Sequence, residues 1–146
     1  SDNFGVIITI LRPFNVYGPD QPENFLIPSI IRQVNAGELI QIKDLEPKRD
    51  YVYISDLIEA VMKAVELRQG INNFNIGSGV SHSVEEIINI IQNVKRTNLP
   101  VHSVAERRKK EIMNTVADIT AAKLELGWAP RFTLFQGLQQ MFTNDH

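Results

Sequence analysis

The segment from Val6 to Leu11 places the strongest constraint on the fold. Its residues are almost wholly apolar and rich in β-branched side chains, so no polar face alternates with an apolar one. This pattern is typical of a parallel strand that is covered on both sides, and such a strand needs neighbours. Arg12-Pro13 is predicted to end the strand, and the turn-forming residues from Asn15 to Pro22 predict an irregular loop.

Helices and strands are predicted to alternate along the rest of the chain. The first expected elements are a helix around Leu26 to Val34 ended by Gly37, and strands at Leu39–Ile42 and Asp50–Ile54. They are followed by a helix capped by Ser55 or Asp56, with Leu57, Ile58, Val61, Ala64 and Val65 as its apolar set, and by a strand at Asn73–Ile76. The last are a helix opened by the Ser83/Glu86 capping box, an extended segment Leu99–Val104, a short helix from Thr120 to Leu126 and a final helix capped by Thr133 and Gln136. The 146 residues contain no repeats, which predicts a single α/β unit.

Composition excludes several classes of function. The 15 Lys+Arg and 17 Asp+Glu residues give a net charge of -2, so no basic excess indicates nucleic-acid binding. The chain has no cysteine, which excludes a disulfide scaffold, a thiolate metal site and a cysteine nucleophile. Its 3 histidines are scattered, and we assign no metal. The longest apolar run is too short to cross a bilayer, and we expect a cytoplasmic protein.

Pattern alone predicts no reaction, but four motifs occur in a familiar order. They are Arg12–Pro19 (RPFNVYGP), Arg49–Asp56 (RDYVYISD), Asn73–Gly79 (NFNIGSG), and Ala117-Asp118 with Leu126–Pro130 (LGWAP). Together they resemble the C-terminal half of an NAD-dependent nucleotide-sugar epimerase/dehydratase of the extended short-chain dehydrogenase/reductase family. The resemblance implies that residues 1–146 form the substrate-binding lobe, in which 1–19 supply the last part of the Rossmann sheet and the crossover loop. The N-terminal NAD-binding Rossmann domain would then be absent from this chain.

The family's catalytic parts are missing from the sequence. Members bind NAD through a glycine-rich turn and use a Tyr-x-x-x-Lys pair, but Tyr17, Tyr51 and Tyr53 each lack a lysine four residues later. The resemblance implies NAD for the full-length enzyme. Because these motifs are missing, neither a cofactor nor independent catalysis is expected for this piece. The apolar Val6–Leu11 strand predicts a covering partner, either the missing NAD-binding domain or a second copy in a homo-oligomer.

The resemblance also implies a binding site for a UDP- or dTDP-sugar. Arg49 would reach the pyrophosphate, because a guanidinium offers paired donors and a permanent charge. The residues alone favour a surface ion pair of Arg49 with Asp50 or Glu46, and the resemblance favours the pyrophosphate contact instead. Arg108 is the second candidate, within an Arg-x-x-Glu skeleton whose middle residues are Lys109 and Lys110, and the neighbouring Arg107 remains an alternative to Arg108.

The other expected contacts cover the rest of such a ligand. Asn15 would contact the sugar-phosphate region or simply cap a turn. Asn24, Phe25 and Leu26 would start a helix whose free amides favour phosphate, with Asn24 equally an N-cap. Ile40 would contact the base through its backbone and Ile42 by packing, or both would be core residues. The family's glycine-rich hairpin is replaced by residues 43–48 (KDLEPK), hereafter the 43–48 loop.

Two further motifs have structural interpretations, and one functional alternative remains. Gly77-Ser78-Gly79 lacks the later glycine and lysine of a phosphate loop and is interpreted as a turn. Trp128 is interpreted as a packing anchor. The alternative to an enzyme portion is a non-catalytic binding or scaffold module of the same fold. A glycine-rich first turn and a Tyr-x-x-x-Lys pair in the full-length gene would distinguish the enzyme from the module.

Overall fold

The computed structural model describes residues 6–37, 39–68, 70–106 and 109–143. The strands are β1 (Ile8–Pro13), β2 (Asn15–Tyr17), β3 (Ile40–Ile42), β4 (Lys48–Tyr53), β5 (Ile71–Ile76), β6 (Ser81–Ser83), β7 (Val101–Ser103) and β8 (Asn114–Thr115). The helices are α1 (Leu26–Ala36), α2 (Ile54–Val65), α3 (Val84–Lys95), α4 (Thr120–Leu124) and α5 (Leu134–Thr143). The α/β class predicted from the sequence is confirmed.

Most strand pairs are parallel. The apolar N-terminal strand β1 pairs with β5 over its full length, from Ile8 opposite Ile71 to Pro13 opposite Ile76. Strand β3 pairs in parallel with β7. Strand β4 is parallel to β2 and β8 and antiparallel to β6, so it lies at the centre of the largest sheet. The residues of β4 are therefore fixed by neighbours along both edges.

Two apolar clusters hold these elements together. One is formed mainly by α1, α3 and α5 packed around Tyr17 and Ile40. The other lies around Phe74 and Trp128. The indole of Trp128 is completely buried and donates a hydrogen bond to the carbonyl of Asp56 at 2.9 Å, which confirms its predicted role as a packing anchor.

Helix ends were predicted well where the capping contact is local. The Ser83/Glu86 box of α3 is present, with hydrogen bonds of 2.8 and 3.1 Å, and Thr133 and Gln136 form the expected reciprocal pair before α5. Gly37 ends α1 in the left-handed conformation at φ 71°, which a glycine adopts without a steric penalty.

Two predicted N-caps were wrong. Helix α1 has Phe25 rather than Asn24 at its N-cap position, and α2 starts at Ile54 after Tyr53, so Ser55 and Asp56 lie inside its first turn. Neither helix has a side-chain cap at its N-terminus. In α2 the Asp56 carboxylate instead accepts the amide of Phe132, at 3.1 Å.

Much of the predicted apolar set of α2 is exposed. The helix buries Ala60, with Leu57 and Ala64 packed at the margin of the core. The larger side chains Ile58, Val61, Met62 and Val65 are 45 to 70% exposed. In β1, Ile8 and Ile10 are also exposed, at 42% and 45%. No helix in the described part of the chain is long and apolar enough to cross a membrane.

Candidate functional site

A cavity of about 460 Å³ lies between the start of α1 and the ends of β3 and β4. It brings together five of the residues that the sequence predicted for ligand binding, from three separate segments: Asn24, Phe25, Leu26, Ile42 and Arg49. Its other lining residues are Ser29, Gln41, Lys43, Asp44, Pro47, Tyr51, Val84, Glu106 and Glu111. A cavity of this size is in the range that binds small molecules.

A second cavity of about 420 Å³ adjoins the first. The two share the lining residues Phe25, Leu26 and Tyr51, and the second adds Asn15 from β2. The side-chain amide of Asn15 donates to the carbonyl of Asp50 at 2.8 Å, so this residue is tied to β4. An elongated ligand could therefore occupy both cavities and pass Phe25 and Leu26 at the start of α1.

The guanidinium of Arg49 is held in place on two sides. Its Nη1 donates to the carbonyls of Lys48 at 2.8 Å and Ile112 at 2.6 Å, and its Nη2 forms an ion pair with Glu111. The partner is neither Asp50 nor Glu46, the two acids that the sequence suggested. A guanidinium has five N–H donors, so these three contacts leave two donors for a ligand.

Asp50 anchors the strand that carries Arg49. Its side chain is completely buried and accepts the amides of Ser78 at 2.7 Å, Gly79 at 2.9 Å and Ala117 at 3.0 Å, together with the Ser78 hydroxyl at 2.7 Å. Adjacent strand residues point to opposite faces of a sheet, so Asp50 anchors β4 in the core while Arg49 faces the cavity.

Among the predicted site residues that the structure describes, Ile40 lines neither cavity. Ile40 is completely buried in the core, and its amide donates to the carbonyl of Pro100 at 2.9 Å. Arg108, and its alternative Arg107, lie outside the described residues.

A family model described as GDP-mannose 4,6 dehydratase matches residues 1–141. The chain belongs to this family of NAD-dependent nucleotide-sugar epimerases and dehydratases. It is 31% identical to UDP-glucose 4-epimerase of Bacillus subtilis over 92% of this chain and 44% of that protein. It is 33% identical to dTDP-4-dehydro-6-deoxyglucose reductase of Escherichia coli over 90% of this chain and 42% of that protein.

Solved epimerase structures have the same fold. UDP-glucose 4-epimerase from Thermotoga maritima, determined with UDP-glucose, superposes with a TM-score of 0.84 at 29% identity, over 97% of this chain and 47% of that one. UDP-glucuronic acid 4-epimerase from Bacillus cereus, in complex with UDP-glucuronic acid and NAD, gives a TM-score of 0.85 at 28% identity, over 97% and 46%. The chain thus spans less than half the length of these epimerases.

The Gly77-Ser78-Gly79 turn does not form a dinucleotide site of the kind that would bind NAD. A dinucleotide site needs free backbone amides in a glycine-rich turn. In Gly77-Ser78-Gly79 the amides of Ser78 and Gly79 are already bonded to Asp50, so this turn is not available to a pyrophosphate. The interpretation of this segment as a structural turn is confirmed.

Burial shifts the pKa of each of the three tyrosines upward. Burial raises the pKa of Tyr51 to about 12, and this effect is larger than the opposing one of the positive charge of the nearby Arg49. Burial also raises the pKa of Tyr17 and of Tyr53 above the ordinary value. A general acid or base works best with a pKa near the operating pH, and these shifts go the opposite way.

Sequence reasoning missed several cavity residues. Glu111 was noted only as part of the Arg-x-x-Glu skeleton, and its spacing from Arg49, 62 residues, gave no sign of the ion pair. Tyr51 could have been found, because residues two apart on a strand share a face and Arg49 was already assigned to the site. Lys43 carried no signal beyond the departure of the 43–48 loop from the family pattern, and Glu106 carried none.

Proposed function

We propose that this chain is the nucleotide-sugar-binding portion of an NAD-dependent epimerase or dehydratase, with a UDP- or dTDP-sugar as its ligand. The observation that carries the proposal is that Arg49 lines the same cavity as Asn24, Phe25 and Leu26. These residues come from β4 and from the start of α1, and they combine a fixed cation with the positive end of a helix dipole. This combination suits a pyrophosphate.

The ligand would extend in both directions from this phosphate site. The sugar would lie in the second cavity beside Asn15, whose bond to β4 holds it there. The nucleoside would lie at the other end, where Ile42 offers an apolar surface. Glu111 supports this arrangement as a positioning residue, because it orients Arg49 and leaves two guanidinium donors for the phosphates.

The proposal assigns binding, not redox chemistry, to these residues. When bound, NAD supplies hydride transfer in such enzymes. The raised pKa values of the tyrosines and the engaged amides of Ser78 and Gly79 support a piece that does not catalyse alone. Residues 1–19, with the apolar strand β1, would complete the sheet of an NAD-binding domain that lies outside this chain.

Calorimetric titration of UDP and UDP-glucose into the wild-type chain and Arg49→Ala tests the proposal. Removing one partner of a close charge pair typically costs about 2 to 5 kcal/mol, so we expect affinity to fall at least about 30-fold. Arg131→Ala is the matched control, because Arg131 is 71% exposed and pairs only with Glu59 at 2.8 Å among the described residues. It should leave affinity unchanged.

A second variant separates loss of charge from loss of geometry. Arg49→Lys retains the cation but not the planar donors that contact Lys48, Ile112 and Glu111, so its affinity should fall between those of wild type and Arg49→Ala. A loss of less than about threefold in Arg49→Ala, about 0.7 kcal/mol, would contradict a phosphate-binding role for Arg49.

A further inference from the structure

The first cavity, of about 460 Å³, carries two side chains of opposite charge at its end beside β3. Lys43 follows β3 directly, and Glu106 lies beyond the parallel partner strand β7. Both line the cavity next to Ile42. Since the proposed pyrophosphate is held at Arg49 and the start of α1, this pair faces the region left for the base.

The backbones of Lys43 and Glu106 are fixed relative to each other. The pairing of β3 with β7 continues past both strands, because the amide of Val104 donates to Ile42 at 3.2 Å and the amide of Glu106 to Lys43 at 2.8 Å. Between them Ala105 has φ 52°, and its amide donates to the Ser103 hydroxyl at 3.2 Å. The two charged side chains therefore start from a well-defined spacing.

The ion pair between the side chains is loose. The Nζ of Lys43 lies 3.9 Å from a carboxylate oxygen of Glu106, and the side chains are 72% and 68% exposed. Such surface pairs contribute little to stability, about 0 to 1 kcal/mol. Both groups can therefore turn from each other to a ligand at small cost.

We propose that Lys43 and Glu106 together select a base that presents a carbonyl oxygen next to a ring N–H. The proposal rests on the function proposed above and deepens it. The ammonium of Lys43 donates to the carbonyl, and the carboxylate of Glu106 accepts the adjacent N–H. Uracil, thymine and guanine have this edge. Cytosine and adenine have the reverse edge, an amino group next to an unprotonated nitrogen, which places donor against donor and acceptor against acceptor.

UDP and CDP provide a closely matched test, because they differ only at this edge. Calorimetry on the 146-residue chain should give an affinity for UDP that is about fivefold to tenfold higher than that for CDP. The double variant Lys43→Glu/Glu106→Lys keeps an ion pair but reverses its direction, so it should bind CDP more tightly than UDP. Titration of dTDP and GDP then shows which carbonyl-bearing base fits best.

The control variant is Glu66→Gln, because Glu66 is exposed at the end of α2 and does not line the cavity. It should leave the ratio of UDP to CDP affinity unchanged. If circular dichroism shows that the double variant is unfolded, Glu106→Gln replaces it and should move the ratio toward one.

The outcomes separate the two proposals. Equal affinity for UDP and CDP in the wild-type chain, or a ratio that the charge reversal does not change, overturns base selection and leaves the nucleotide-sugar site intact. Failure of the folded chain to bind any of the nucleoside diphosphates overturns both proposals.

Discussion

Replacing Asp50 with asparagine should destabilise this protein far more than an isosteric change usually does. The carboxylate is completely buried and accepts four hydrogen bonds, of which three come from backbone amides. One oxygen serves Ser78, through both its amide and its hydroxyl, and the other serves Gly79 and Ala117. Asparagine keeps only one oxygen, so its NH₂ group must face at least one amide donor.

The magnitude follows from the better of the two orientations. With the NH₂ toward Ser78, the hydroxyl can turn to accept, but the Ser78 amide loses its partner. An unsatisfied buried donor costs about 1 to 3 kcal/mol, and the bonds that remain to Gly79 and Ala117 lose the gain from a charged acceptor. We therefore expect Asp50→Asn to lower the free energy of unfolding by about 3 to 4 kcal/mol.

Urea denaturation at pH 7, followed by circular dichroism, measures this loss as a decrease in the midpoint at constant slope. Asp118→Asn is the control, because Asp118 lies at the surface and bonds locally to the amide of Thr120 at 3.0 Å. It should cost less than about 1 kcal/mol. A loss below about 1 kcal/mol for Asp50→Asn would refute the assignment of Asp50 as the anchor of β4.

Four further predictions follow from other features. Burial raises the pKa of Asp56 above its ordinary 3.8, so the folded state binds the proton more tightly and becomes less stable as the pH rises from about that value through the folded pKa. Asp56→Asn should remove this fall in stability, and denaturation at pH 3 and pH 7 should show that the free energy of unfolding of the variant rises relative to that of wild type between the two pH values. Gly137 packs so closely against Tyr17 that an added Cβ would overlap the hydroxyl and lie 2.8 Å from Cζ. Gly137→Ala should therefore lower the free energy of unfolding by about 1 to 2 kcal/mol in thermal melts, and Tyr17→Phe in the same chain should relieve part of this loss. An unchanged melting temperature in Gly137→Ala would contradict the close packing. A preparation of these 146 residues should retain no NAD and show no epimerase or dehydratase activity, and copurified NAD would contradict this expectation. Light scattering over about a hundredfold range of concentration should detect self-association through the exposed apolar strand, whereas a strict monomer that binds no hydrophobic dye would contradict it.

The sequence predicted those elements whose signals are local. Helix α3 was found with its capping box because Ser83 and Glu86 are three residues apart and bond to each other. Strand β1 was recognised by its apolar run, although it begins at Ile8 and extends to Pro13. In both cases the residues that specify the element lie within it.

Features that depend on distant partners were not predicted. Strands β6 and β8 contain only three and two residues and exist because they pair with β4, so neither has a pattern of its own. Asp56 looked like a helix cap but bonds to Phe132, 76 residues away. The site shows the same division, since Arg49 was predicted and its partner Glu111 was not.

The alternation of side chains along β4 separates what can vary from what cannot. Asp50 ties the strand to the Ser78-Gly79 turn and to Ala117 without using any residue of the 43–48 loop. Residues 43–47, which precede the Lys48 carbonyl that Arg49 contacts, can therefore be redesigned in length or composition while the arginine keeps its place. Grafting such segments from other family members before this strand would place each new loop next to the same fixed arginine, and would so separate the contribution of the loop from that of Arg49.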